Sequence, residues 1–262
     1  MAPRLNRETA ETIASAAAIP EDGIVQTNDK IGVVHLGWGG FASAHLGTIL
    51  NDIDQGQKQE WGVSAVSMRS GTRRDELEPQ DGLYTVTERR AEGDHTHLVD
   101  VVKEILVAPE DPNAVIERMA HPDTKVVTMT VTQRGYDLPV VEMPQDVDDQ
   151  YRVDDAKVDI SQAFTPESGT FDRSKVTVYE LIAEASARRL ERSIAPFVAI
   201  SLDNIPSNGD FLKSQLKKFS VRLDPETAAL IGNIQTPNTM VDRITPAPTA
   251  EFKDEVEVRL GV

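Results

Sequence analysis

The sequence predicts an α/β fold built on a doubly wound, mostly parallel sheet, and three observations carry that expectation. Short, almost wholly apolar runs recur at 31–36 (IGVVHL), 61–68 (WGVSAVSM), 125–132 (KVVTMTVT) and 196–202 (PFVAISL), each the mark of a strand buried on both faces. Stretches of helical periodicity separate them. Between the first run and the first such stretch lies a glycine-rich turn, Gly37-Trp38-Gly39-Gly40-Phe41-Ala42.

Taken in order, residues 5–18 carry helix formers, and Pro20 with the Glu21-Asp22-Gly23 turn signal ends them. Residues 1–27 therefore read as an N-terminal helix and linker, and 28–250 as the main α/β domain. After the 31–36 strand, Phe41, Ala44, Leu46, Ile49, Leu50 and Ile53 fall near one face of a crossover helix over 41–53. The run at 61–68 is the next parallel strand. Residues 83–89 alternate as a half-exposed strand, 97–108 fit a strand or a mixed segment, and Pro112 opens a helix to 120. Residues 137–172 are acidic and weakly periodic, an expected surface excursion. Helix resumes at 177–192, the fourth strand follows, and the NIPSNG segment leads into a further helix.

The 262 residues, 39% of them hydrophobic, can bury one sizeable core. With 43 acidic against 27 basic residues, the formal net charge of −16 opposes binding to nucleic acid or anionic membrane and favours a small-molecule partner. No run is long and apolar enough to span a bilayer, and the N-terminus is unlike a signal peptide, so the expected location is the cytoplasm. Without cysteine there are no disulfides, thiolate nucleophiles or Cys-based zinc sites.

The glycine turn satisfies the G-x-G-x-x-[GA] pattern between a strand and a helix, the context in which that pattern holds a dinucleotide. Its first glycine permits the tight turn, its second lets the backbone approach a diphosphate, and the helix start offers N–H groups and partial positive charge. The expected cofactor is NAD(H) or NADP(H). Discrimination between them rests on the end of the second strand, here Arg69-Ser70-Gly71-Thr72-Arg73-Arg74. No acid precedes Asp75, which tilts the charge logic slightly toward a 2′-phosphate; arginines stacked on adenine, or merely solvated, are equally compatible with NAD.

Four stretches together resemble the mannitol dehydrogenase family of polyol and hexuronate oxidoreductases: HLGWGGFASAH at 35–45; WGVSAVSMRS and PQDGLYTVTER at 61–70 and 79–89; VVTMTVTQRGY and PFVAISLDNIPSNG at 126–136 and 196–209; and PNTMVDRITP at 237–246. The resemblance implies a Rossmann-like domain in which Gly37, Gly39 and Phe41 cradle the diphosphate and Val131 and Thr132 lie along the cofactor; Gly40 of the turn and Arg69 of the corner after the second strand are further cofactor-binding candidates. It makes Asn204 the amide that polarises the reacting oxygen, close to cofactor as well as substrate, and Asp242 an acid near the nicotinamide. Read without the family, Asn204 could cap a D-N-x-P turn and Asp242 could pair with Arg243. The chain departs from the family at Ala42-Ser43, where His-Arg is usual, at Gln133, where a glutamate is usual, and at Thr236, where an aromatic residue or serine is usual.

The family's catalytic lysine belongs to a C-terminal helical domain, in a K-x-x-x-x-N-x-x-H arrangement that does not occur among these residues. Residues 251–262 thus read as the start of a link to that domain, which a further segment or chain would supply. No histidine replaces the base: His35 reads as a core residue and His45 as structural. His121 reads as a helix-end cation, and His95 with His97 as a loop pair too sparse for a metal. Three readings remain open: a stretch of a longer oxidoreductase acting on a polyol or uronate, a non-catalytic dinucleotide module, and an acidic structural protein.

Overall fold

β1 (Ile31–Leu36) and β2 (Gly62–Ser67) are buried at every position, as their unbroken apolar character requires. They pair in parallel, from Ile31 opposite Gly62 to Leu36 opposite Val66. This computed structural model describes residues 4–16, 30–56, 60–131, 176–220, 223–241 and 245–261. They fall into two units, Met1–Val107 with Arg243–Val262 and Ala108–Asp242. The expected excursion at 137–172 and the linker beyond residue 16 lie outside the described residues.

In the first unit, α1 (Ala10–Ala16) starts later than its composition suggests. Asn6 and Thr9 exchange hydrogen bonds, Thr9 N–H to Asn6 Oδ1 at 2.9 Å and Asn6 N–H to Thr9 Oγ1 at 3.1 Å, and this capping turn replaces the first helical turn. After β1 the chain becomes helical at Gly40, passes through a π turn (Ala42–Leu46) and continues as α2 (Gly47–Gly56). Beyond β2 comes α3 (Thr72–Leu77).

The ambiguous stretch after residue 83 resolves into three strands. β3 (Tyr84–Glu88) pairs antiparallel with β4 (His95–Val99) as a separate hairpin, and β5 (Val102–Val107) joins β2 in parallel. His95 and His97 thus lie on a strand, not in the expected loop. Thr96 and Leu98 alternate with them and are buried, a period-two pattern that the adjoining apolar run obscures. Asp100 breaks that run; it is buried and ion-paired with Arg7 and Lys103.

In the second unit, α4 (Pro112–Ala120) is capped by Asp111, whose Oδ1 accepts from Ala114 N–H at 2.9 Å. β6 (Val126–Met129) pairs in parallel with β7 (Val198–Ser201). α5 (Val178–Glu191) opens on a capping box between Thr177 and Glu180. α6 (Asn208–Ser220) and α7 (Pro225–Asn233) follow, with Tyr179 of α5 stacked on Phe219 of α6. Strands and helices alternate and the main strands pair in parallel, a Rossmann-like arrangement of the predicted class. The described residues beyond 250 are largely helical: α8 (Ala250–Leu260) closes the first unit with Leu260 in a small core shared with Leu5, Ile13, Leu83 and Leu98.

Candidate functional site

The glycine turn sits where β1 ends. Gly37 has φ 92°, a left-handed conformation that a side chain would strain. This geometry lets the N–H groups of Gly37 and Trp38 both donate to the carbonyl of Val66, at 2.9 and 3.0 Å, which pins the turn to the end of β2. The next two glycines answer to a different demand. A Cβ at Gly40 would meet nothing within 4 Å, and one at Gly39 only the carbonyl oxygen of Gly37 at 3.8 Å. Nothing in the packing of the described residues requires glycine at either place, whereas bare backbone at a helix start is what a diphosphate needs for close approach. The residues present therefore fit that group.

Behind the turn, His35 is fully buried, and burial lowers its pKa to about 3 against the partial compensation of a hydrogen bond to the Gly37 backbone. It is a neutral core residue whose ring meets the edge of Trp38 at 5.4 Å between centroids. In the π turn the N–H of Gly47 donates to Ala42, five residues back, while Ser43 Oγ donates to the Gly39 carbonyl at 2.9 Å. Tyr84 reaches in from β3, and its burial pushes the phenol pKa up so that it stays a neutral donor. Single π turns recur at functional sites, and the hydrophobic periodicity of 41–53 gives no sign of this one. Phe41 packs against His45 with centroids 5.3 Å apart.

At the corner after β2, Arg73 pairs with Glu76 and Arg74 with Asp75, both acids of α3. Arg69 is exposed and has no hydrogen-bond or ion-pair partner among the described residues. Of the three arginines it alone keeps its guanidinium uncommitted.

In the second unit the ends of β6 and β7 are tied together, because the N–H of Val131 donates to Asp203 Oδ2 at 3.2 Å. The neighbouring Asn204 is exposed and its side chain makes no hydrogen bond among the described residues. Capping of this loop falls instead to the buried Asn208. Its Nδ2 donates to the carbonyls of Ser201 and Asp203 at 3.0 and 3.1 Å and to Thr239 Oγ1 at 2.6 Å, and its Oδ1 accepts from Thr239 N–H at 2.8 Å. Sequence reasoning misses Asp203, Asn208 and Thr239; the signal for them is the recurrence of short polar side chains in SLDNIPSN and PNT. Thr132 and Asp242 lie outside the described residues, as does Gln133.

Among the described residues no group of three or more metal-binding side chains converges, and His95 Nδ1 and His97 Nε2 hydrogen-bond each other at 2.9 Å. No described helix is long and apolar enough to cross a membrane.

Comparison with known proteins bears on the whole chain. Residues 31–260 match the family model of the mannitol dehydrogenase Rossmann domain. A mannitol 2-dehydrogenase of Phaeosphaeria nodorum is 35% identical over 237 residues, covering 89% of this chain and 39% of that protein. The substrate-free structure of a D-sorbitol dehydrogenase superposes with TM-score 0.76 at 27% identity, covering 98% of this chain and 51% of the other. A Pseudomonas fluorescens mannitol 2-dehydrogenase, solved with NAD and D-mannitol, shares the fold at TM-score 0.75 and 24% identity, over 97% of this chain and 50% of its own. The chain spans about half the length, or less, of these relatives.

Proposed function

Because the chain belongs to the mannitol dehydrogenase family, we propose that it is the dinucleotide-binding half of an NAD(P)-dependent oxidoreductase acting on a secondary alcohol of a sugar alcohol or hexuronate. The observation that carries this reading is the turn at Gly37–Phe41: pinned to Val66 on one side, it leaves bare backbone at Gly39 and Gly40. A bound nicotinamide would supply the hydride chemistry. The chain's own residues bind the cofactor and orient the substrate oxygen. Gly37, Gly39, Gly40 and Phe41 hold the diphosphate at the helix start, and Arg69 meets a 2′-phosphate or the adenine face. Family likeness assigns Val131 and Thr132 to the length of the cofactor and Asp242 to its reactive end. Asn204, whose amide is uncommitted, donates to the substrate oxygen as charge develops on it.

Oxidising the alcohol also requires a proton acceptor near neutral pKa beside that oxygen. His35 is too deeply buried and too acidic for the task. We assign the acceptor to a lysine in the part of the protein that follows in this family's longer members. Titration of NADH and NADPH, followed by nicotinamide fluorescence, tests the reading. At least one should bind saturably below millimolar concentration, and Arg69→Ala should weaken NADPH more than NADH. The chain alone should not turn over mannitol or fructose. Failure of both cofactors to bind would refute the proposal.

A further inference from the structure

Two side-chain polar atoms among the described residues are buried without a hydrogen-bond partner, Trp38 Nε1 and Ser67 Oγ. Their residues meet at one backbone junction. Trp38 is the second residue of the glycine turn, and Ser67 ends β2 directly after Val66, whose carbonyl receives the turn's two N–H groups. Both residues are almost wholly enclosed, at 3% and 7% exposure, so bulk water does not compensate them. Folded proteins leave few such groups, because each forfeits the hydrogen bonds it had in water. Two of them flanking one turn mark a place that something else completes.

The chemistry of the missing partner is constrained. An indole N–H can only donate, and a serine hydroxyl can donate or accept, so the partner presents oxygen acceptors near the carboxyl ends of β1 and β2. A dinucleotide seated on the turn offers those atoms, with its diphosphate over the glycines and its adenosine ribose at the end of the second strand. We propose that Ser67 Oγ and Trp38 Nε1 are reserved for the bound dinucleotide: Ser67, after rotation about χ1, for a ribose hydroxyl, and Trp38 for a diphosphate oxygen as the turn settles onto the ligand. The inference rests on the dinucleotide reading of the turn and adds two residues that the glycine pattern does not specify.

Removing Ser67 Oγ should act in opposite directions on the free and the bound protein, and removing Trp38 Nε1 should weaken the bound state. In Ser67→Ala the melting temperature of the free chain should hold or rise, since an uncompensated polar group is gone; Trp38→Phe also empties part of a buried site and is read by affinity alone. Affinity for ADP-ribose and for NADH, measured by calorimetry, should fall about fivefold in each. ADP-ribose carries the diphosphate and ribose without the nicotinamide, so the readout is independent of turnover. Unchanged ADP-ribose affinity in both variants, with the wild type binding normally, would overturn this proposal alone. So would a free-state melting temperature several degrees lower in Ser67→Ala, which would show that its hydroxyl serves the fold. A wild-type chain that binds neither ligand would remove this inference and the functional reading together.

Discussion

The phenol hydroxyl of Tyr84 donates a 2.9 Å hydrogen bond to the main-chain carbonyl of Ser43, inside the π turn that follows the glycine turn. The ring can come this close only because residue 47 lacks a side chain: a Cβ there would collide with the Tyr84 oxygen. Tyr84→Phe should lower stability by about 1 kcal/mol, the usual worth of one hydrogen bond. Gly47→Ala should cost more, through the collision. Because Tyr84→Phe removes the colliding oxygen, Gly47→Ala should cost less in that background than in the wild type. A double-mutant cycle by urea denaturation measures this coupling, and strict additivity would contradict the geometry.

The glycines of the turn should separate folding from binding. Gly37→Ala places a side chain at φ 92° and should destabilise the chain by about 1–3 kcal/mol. Gly40→Ala meets no neighbour and trims the freedom of the unfolded chain, so its melting temperature should be unchanged or slightly higher. Its NADH affinity should nevertheless drop by about tenfold or more, because the added methyl occupies the approach to the diphosphate. Thermal melts and fluorescence titrations on the two variants decide the matter. Equal loss of stability in both would mean that the open space at Gly40 has another purpose.

β1, the glycine turn and β2 are readable from sequence because each is determined locally: apolar β-branched runs must be buried on both faces, and glycines at fixed spacing have a backbone reason. The Tyr84–Ser43 contact joins residues 41 apart, and no local periodicity encodes it. The same limit hides Asn208. It and Asn204 are the same residue type four positions apart, and only the carbonyls at the end of β7 and Thr239 decide which is buried as the cap and which is left exposed. His95 and His97 read as a loop pair because the apolar run through 108 masks the alternation of a short hairpin strand.

His35 couples stability to pH. Its pKa is about 3 in the folded chain against about 6.5 when unfolded. Between those values the unfolded state binds a proton that the folded state refuses, so stability falls as pH is lowered from 6.5 toward 3 and is fully retained above 6.5. The slope from this one group approaches about 1.4 kcal/mol per pH unit. His35→Gln, which keeps a polar side chain of similar size, should flatten the profile between pH 6.5 and 5 by roughly that slope. Urea titrations at closely spaced pH values give the comparison, and parallel profiles would show that His35 takes up its proton while folded.

Arg189 of the second unit commits its guanidinium to four main-chain carbonyls. Its guanidinium is buried, with Nε donating to the Ala195 carbonyl at 2.7 Å and Nη1 facing the carbonyls of Met119, His121 and Thr124 at 3.0, 2.8 and 3.1 Å. These oxygens lie where α4 ends and the chain turns toward β6, so one side chain of α5 satisfies groups that the helix cannot. Desolvation pulls the Arg189 pKa down, yet no carboxylate is needed, since helix-end carbonyls carry partial negative charge. Arg189→Met conserves the buried stem but leaves several carbonyls without donors, and should cost about 3 kcal/mol or more. Arg189→Lys should recover part of this, because an ammonium reaches one or two of the oxygens but lacks the planar fork. The order wild type, lysine, methionine in denaturation midpoints is the expected result. A methionine variant as stable as the wild type would mean that water reaches these carbonyls once the guanidinium is gone.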